Sequence, residues 1–153
     1  MIGKHYLHNI LSDVPPDTEL IHFCCDRYSA GGLKASEQHH RYARCRPGRQ
    51  FEVCGQYKAP DADEFFSVSA NKSELLNILC NMWSQDEQLA QSIGSTRLYL
   101  GGGSGKKQSV LITNGTVADV AELESTQQEA DTRMILHLVY SVQHEGVDSH
   151  YSC

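Results

Sequence analysis

The run Leu20–Ile21–His22–Phe23–Cys24–Cys25, closed by Asp26, limits the fold more than any other stretch. It is short, almost continuously apolar, and bounded by turn-forming residues: Pro15–Pro16–Asp17 before it and Ser29–Ala30–Gly31–Gly32 after it. Its length and flanks favour a buried strand over a helix. Residues 19–25 are therefore expected to form a central strand, with helices packed on its sheet. Asp26 then stands at a strand's carboxyl end, where open α/β sheets collect ligands. A lone acid after a strand is equally at home in a turn.

The helices needed to cover such a sheet are present. Residues 71–91 carry Leu75, Leu76, Leu79, Met82, Trp83 and Leu89 at helical spacing, with Asn71 or Ser73 as a start and Gly94 just past the end. Residues 127–144 read as the last helix, with Ala130, Met134, Ile135, Leu138 and Val142 as its buried face and Gly146 as its end. Residues 4–12 read as a short helix, and 35–44 as a polar, basic, exposed one. Phe51, Val53 and Tyr57 alternate like an edge strand, and residues 59–63 read as a loop. Residues 96–100 and 109–113 read as strands joined as a hairpin, with another short strand over 117–123. Helices and strands alternating in this way predict an α/β class, in one domain spanning residues 1–153.

Composition sets the bounds. With 40% hydrophobic and 21% charged residues, the chain is that of a folded globular protein. A net charge of −6 argues against wrapping nucleic acid by bulk electrostatics. Any such role must be local, resting on Arg41, Arg44, Arg46 and Arg49 or on Lys106 and Lys107. No apolar stretch reaches the roughly 18–20 residues of a membrane span, and residues 1–6 lack the apolar core of a signal peptide. The six cysteines are then expected to be free thiols in a reducing, intracellular compartment, cytoplasm or nucleus.

Three motifs lead nowhere on spacing. The loop Gly101–Gly102–Gly103–Ser104–Gly105–Lys106–Lys107 has Leu100 where a phosphate loop needs glycine, and Lys107 where it needs Ser or Thr. It reads as a hairpin tip. Cys45 and Cys54 with His39 and His40 contain no C-x2-C pair for zinc, and Cys24 and Cys25 point to opposite faces of a strand. No spacing supports a Cys–His nucleophile.

Gln128–Glu129–Ala130–Asp131–Thr132–Arg133 is more informative. Two acids open a helix, where the macrodipole favours negative charge. On spacing alone they read as a charged helix start, with Glu129 pairing Arg133 four residues on. The alternative is a site for a hard cation shared with Asp26.

Together these blocks resemble a known family. Phe23–Cys24–Cys25–Asp26–Arg27–Tyr28, then Gly32–Leu33–Lys34–Ala35–Ser36–Glu37 with Arg41 and Arg44, is similar to a block of the PIN-like nucleases, flap endonucleases included. There an apolar strand ends in Phe-Asp-Gly and is followed by Leu-Lys, a glutamate and arginines. Glu129–Ala130–Asp131 resembles the acid pair opening an internal helix of that superfamily. With Asn71–Lys72–Ser73–Glu74–Leu75–Leu76 and Leu136–His137, the order also resembles a group of mobile-element-associated animal proteins.

The resemblance implies a PIN-like three-layer α/β sandwich with a central, mostly parallel sheet. It implies metal-dependent phosphodiester hydrolysis, in which clustered carboxylates hold Mg²⁺ or Mn²⁺ to activate water and stabilise the leaving oxygen. Carried over by position, Asp26, Glu129 and Asp131 are the catalytic metal ligands. Lys34, Arg41 and Arg44 are phosphate contacts to a nucleic acid. The chain departs from the pattern in three places: Arg27 replaces a glycine, no early aspartate sits on a first apolar strand, and no Asp-x-Asp strand follows the last helix. A PIN-like core incomplete at both ends, weak or inactive by itself, is the expectation. The alternatives are a catalytically inactive PIN-like module that binds nucleic acid or protein, and an unrelated small α/β domain.

Overall fold

The computed structural model describes residues 2–26, 49–52, 61–101, 109–127 and 129–146. The order is α1 (Ile2–Asp13), β1 (Leu20–Cys24), α2 (Ala62–Phe66), α3 (Ser69–Gln85), α4 (Glu87–Ser92), β2 (Arg97–Gly101), β3 (Ser109–Thr113), β4 (Thr116–Val120), a 3₁₀ turn (Ala121–Leu123) and α5 (Ala130–His144). The expected α/β class holds. The helix expected over residues 35–44 and most of the strand around Val53 and Tyr57 lie outside the described residues. The loop expected at residues 59–63 gives way to α2, which begins at Ala62 because Asp61 caps it, accepting bonds from Asp63 N and Glu64 N.

The single helix expected over residues 71–91 is two. Asp86 ends α3, and its carboxylate accepts from Gln88 N and Leu89 N to start α4. A side chain that can cap a new helix competes with continuing the old one. Asn71 does not cap α3. It is fully buried and ties three segments together, bonding Phe51 N, Arg49 O and Phe65 O.

The four described strands lie in the order β1-β2-β3-β4. β1 and β2 run parallel, in register Leu20↔Arg97 to Cys24↔Gly101. The other two pairings are antiparallel. Two sequence expectations are corrected here. The sheet is not mostly parallel, because the short connections after β2 and β3 can only join antiparallel neighbours, whereas a parallel partner requires a long crossover. Nor is β1 central: among the described residues it is an edge strand, and its residues are half-buried. Asn114 and Gly115, with φ of 48° and 73°, form the two-residue turn between β3 and β4. Positive φ at both central positions is what that tight hairpin requires.

Helices cover both faces. On one face Leu7 of α1, Leu75, Leu79 and Trp83 of α3, and Leu89 and Ile93 pack on Leu98, Leu100 and Ile112, with Ile21 and Phe23 alongside. On the other, Leu136 and Tyr140 of α5 pack on Tyr99, Val120 and Leu123. Alternation along each strand explains the division, since odd and even residues face opposite layers.

Candidate functional site

Backbone pairing carries the chain past β1: Cys25 N donates to Gly101 O at 2.7 Å, so Asp26 emerges at the carboxyl end of the sheet. There its Oδ1 accepts a hydrogen bond from Ala130 N, the first residue of α5, at 2.8 Å. Glu129 holds the N-cap position and makes no side-chain capping bond. Asp26 therefore caps α5 from a strand far away in sequence, where the helix's partial positive charge favours a carboxylate.

This contact brings the two acidic stretches together. Glu129 and Asp131 flank the amide that Asp26 accepts from, and both are exposed. All three offer hard oxygen donors of the kind Mg²⁺ and Mn²⁺ prefer. The grouping does not match a metal centre: among the described residues no three His, Cys, Asp or Glu side chains are gathered to hold an ion. Donor chemistry fits and geometry does not. Lys34, Arg41 and Arg44, the expected phosphate contacts, lie outside the described residues, as do Cys45, Cys54, His39 and His40.

α5 shows the largest departure from the sequence reading. Its buried face is Arg133, His137 and Ser141, while Met134, Ile135 and Val142 of the expected face are exposed. Arg133, read from the sequence as a partner of Glu129 four residues earlier, is fully buried. Its guanidinium donates to Ser125 O at 3.0 Å and to Gln127 O at 2.9 and 3.2 Å, which pins the segment leading into α5. Hydrogen bonds from a charged donor to backbone carbonyls make this burial affordable.

His137 and Ser141 continue inward to β1. His22 Nδ1 lies 2.7 Å from His137 Nδ1, and His22 Nε2 lies 2.8 Å from Ser141 Oγ. His137 Nε2 lies 3.3 Å from Ser109 Oγ. Ser141 Oγ also donates to His137 O, and Ser109 Oγ to Leu123 O. Donor counting then decides the protonation. If both hydroxyls donate to those carbonyls, each imidazole must donate from Nε2, and the facing Nδ1 pair must share a third proton. The two rings would together carry one positive charge.

Burial and then Arg97 lower the His22 pKa to about 4. Burial, then His22, then Arg133 lower that of His137 to about 4. Both rings are neutral at pH 7, so one hydroxyl must leave its carbonyl. Ser109 has the longer bonds, and turning it toward His137 Nε2 satisfies every other member of the chain. The site is a neutral buried relay, not a general base poised near neutrality.

Gly101 makes the relay possible. A Cβ there would lie 2.5 Å from His137 Nε2 and 3.5 Å from Cys24 Sγ, so only glycine admits the ring. The sequence reading placed Gly101 in a hairpin tip; it is the last residue of β2. Beyond His22, Tyr99 stacks on its ring at 4.7 Å and donates to Glu145 Oε1 at 2.5 Å, and Arg97 pairs with Glu145. Burial raises the Tyr99 pKa to about 12. Cys24, Cys25 and Cys80 are free thiols. Burial raises Cys24 and Cys80 to about 11 and Cys25 further, so none is a nucleophile at neutral pH.

Sequence reasoning missed this polar cluster, although signals existed. Arg133, His137 and Ser141 stand four residues apart, on one face of a helix, and His22 interrupts an otherwise apolar strand. No helix among the described residues is long and apolar enough to cross a membrane. No protein family, no curated protein and no solved structure matches the chain.

Proposed function

We propose that the chain carries part of a PIN-like phosphodiesterase centre that uses Mg²⁺ or Mn²⁺ on a nucleic-acid substrate, weak or inactive in this chain alone. The observation that supports this is the 2.8 Å bond from Ala130 N to Asp26 Oδ1. It joins the strand-end acid to the helix bearing Glu129 and Asp131, the juxtaposition that the resemblance to PIN-like nucleases requires. Lys34, Arg41 and Arg44 serve this reading as phosphate contacts. Because the acids are not gathered around one ion position, no hydrolytic step is assigned to them. Completion of the centre needs further ligands or a rearranged Glu129 and Asp131.

A second reading has its own observation. Asp26 already serves as the cap of α5, a structural role sufficient to explain an acid at that position. On that basis the domain is a catalytically inactive PIN-like module. One experiment separates the two: cleavage of labelled single-stranded and flapped DNA and RNA with Mn²⁺, by the chain and by Asp131→Asn. Slow cleavage that the variant loses supports the first reading. Binding without cleavage, unchanged in the variant, supports the second.

A further inference from the structure

We propose that His22 and His137 form an acid latch on α5: the docked pair has room for one added proton, and a second parts the rings and frees the helix from β1. The count of donors and acceptors carries this. In the neutral relay the bonds run one way. Ser109 Oγ donates to His137 Nε2, His137 Nδ1 to His22 Nδ1, His22 Nε2 to Ser141 Oγ, and Ser141 Oγ to His137 O. Two ring nitrogens therefore accept, His137 Nε2 and His22 Nδ1, and neither carries a proton.

The first added proton has a place. Bound at His137 Nε2, it points at Ser109 Oγ, 3.3 Å away. Ser109 then turns its own proton to Leu123 O, 3.1 Å away, and accepts instead of donating. No group loses a partner, and the helix stays docked. The second proton has no place. The nitrogen still bare is His22 Nδ1, which faces the Nδ1–H of His137 at 2.7 Å. Protonating it sets the N–H groups of two cations against each other, with no acceptor between them. His137 cannot sink toward the sheet, because its ring already fills the space that a Cβ on Gly101 would take. The rings separate by lifting α5 away from β1.

The surroundings give added charge no relief. β1 presents Cys24, beside the same Gly101. β2 presents Tyr99, stacked on His22, and Arg97; β3 presents Ser109; α5 presents Arg133. At the two ends of α5, Asp26 is bonded to Ala130 N, and Glu145 to Tyr99 and Arg97. Among the described residues no carboxylate bonds either ring. Burial is the largest cause holding both rings near 4 instead of 6.5; Arg97 adds to it at His22, and His22 and then Arg133 at His137. Released rings take protons near 6.5, so between the two values the released helix binds more protons. Docking is complete above about pH 6.5 and weakens as pH falls toward 4. The opposite face carries no such group: among the described residues no histidine, aspartate or glutamate is buried under α1, α3 and α4. Release is accordingly local, uncovering Tyr99, Val120 and Leu123 where Leu136 and Tyr140 lay. The latch operates whether or not Asp26, Glu129 and Asp131 hold a cation.

The test uses the full chain labelled with ¹⁵N. Imidazole spectra at pH 7 should show His137 protonated at Nδ1 and His22 at Nε2; any other pair of tautomers overturns the proposal. Amide exchange then reads the release. Between pH 6.5 and 4 the protection of α5, corrected for the intrinsic exchange rate, should fall about thirtyfold, and at pH 4 it should lie at least about tenfold below that of α3. His137→Gln should lose most of that fall. Equal protection in the two helices at pH 4 would show that α5 leaves only when the whole chain unfolds. A fall of the same size in His137→Gln, or none in the unmodified chain, would show that the rings do not hold the helix. Each of these results overturns the latch, and the tautomers test it even if the variant fails to fold.

Discussion

The two faces of the sheet are held by different means. Under α1, α3 and α4 the contact with the sheet is mainly apolar, with Asn71 as a buried polar tie at its margin, and it is centred on Trp83, whose Nε1 donates to Gly3 O at 2.9 Å and whose ring meets Phe23 edge-on at 5.3 Å. Under α5, beside the apolar Val120 and Leu123, lie buried polar groups: His137, Ser141 and Ser109, linked through His22 by hydrogen bonds, Tyr99 stacked on His22, and Arg133 bonded to Ser125 O and Gln127 O. Apolar packing is non-directional and tolerates exchange of similar shapes. A buried polar chain is directional, and each member removed strands another. The first face therefore supplies most of the stability. The second fixes how α5 sits on β1, and with it the position of Asp26 against Glu129 and Asp131.

That contrast can be broken by substitution. Trp83→Ala should cost about 3–5 kcal/mol by denaturant unfolding, through lost burial, the cavity left behind and the orphaned Gly3 carbonyl. A loss under about 2 kcal/mol would show that the apolar face is not the main source of stability.

Acid should act on the other face. His22 and His137 titrate near 4 in the fold and near 6.5 when unfolded. Between those values the unfolded chain binds more protons, so this contribution is complete above about pH 6.5 and is lost as pH falls toward 4. The loss should be on the order of 2 kcal/mol, discounted because His22 is only half-buried. His137→Gln should show a shallower acid limb than the unmodified chain. An unchanged limb would place the acid sensitivity elsewhere.

A smaller effect tests the junction itself. Asp26→Ala should destabilise by about 1 kcal/mol through loss of the α5 cap, and should speed amide exchange in the first turn of α5 more than in β2. Uniform exchange would mean that the cap does not hold the helix start.

The same contrast explains what the sequence revealed. Leu75, Leu79 and Trp83 were legible because an apolar face repeats at helical period. The 127–144 helix was found, but its inward face was reversed. Met134, Ile135 and Val142 carry the stronger apolar signal, while Arg133, His137 and Ser141 are buried through bonds to Ser125, Gln127, His22 and Ser109 that local pattern cannot display. The turn between β3 and β4 was available in Asn114–Gly115, a strong hairpin signal. The edge position of β1 was not available, because a continuous apolar run looks alike wherever one face is helix-covered and the other is packed. Asp26 and Ala130 are 104 residues apart. A shared site was an alternative that the positions of the acids allowed and the resemblance implied; local periodicity does not supply such a contact.

The proposed function requires Asp26, Glu129 and Asp131 to come together around a divalent cation, although their side chains are not gathered for one in the structure. The most direct measurement is paramagnetic broadening of amide signals by Mn²⁺ at pH 7 in the ¹⁵N-labelled chain. The account predicts broadening centred on Asp26 and residues 129–131, reversed by excess Mg²⁺ and much reduced in Asp131→Asn. Broadening centred on Asp61, Asp63 and Glu64, or none at all, would contradict it.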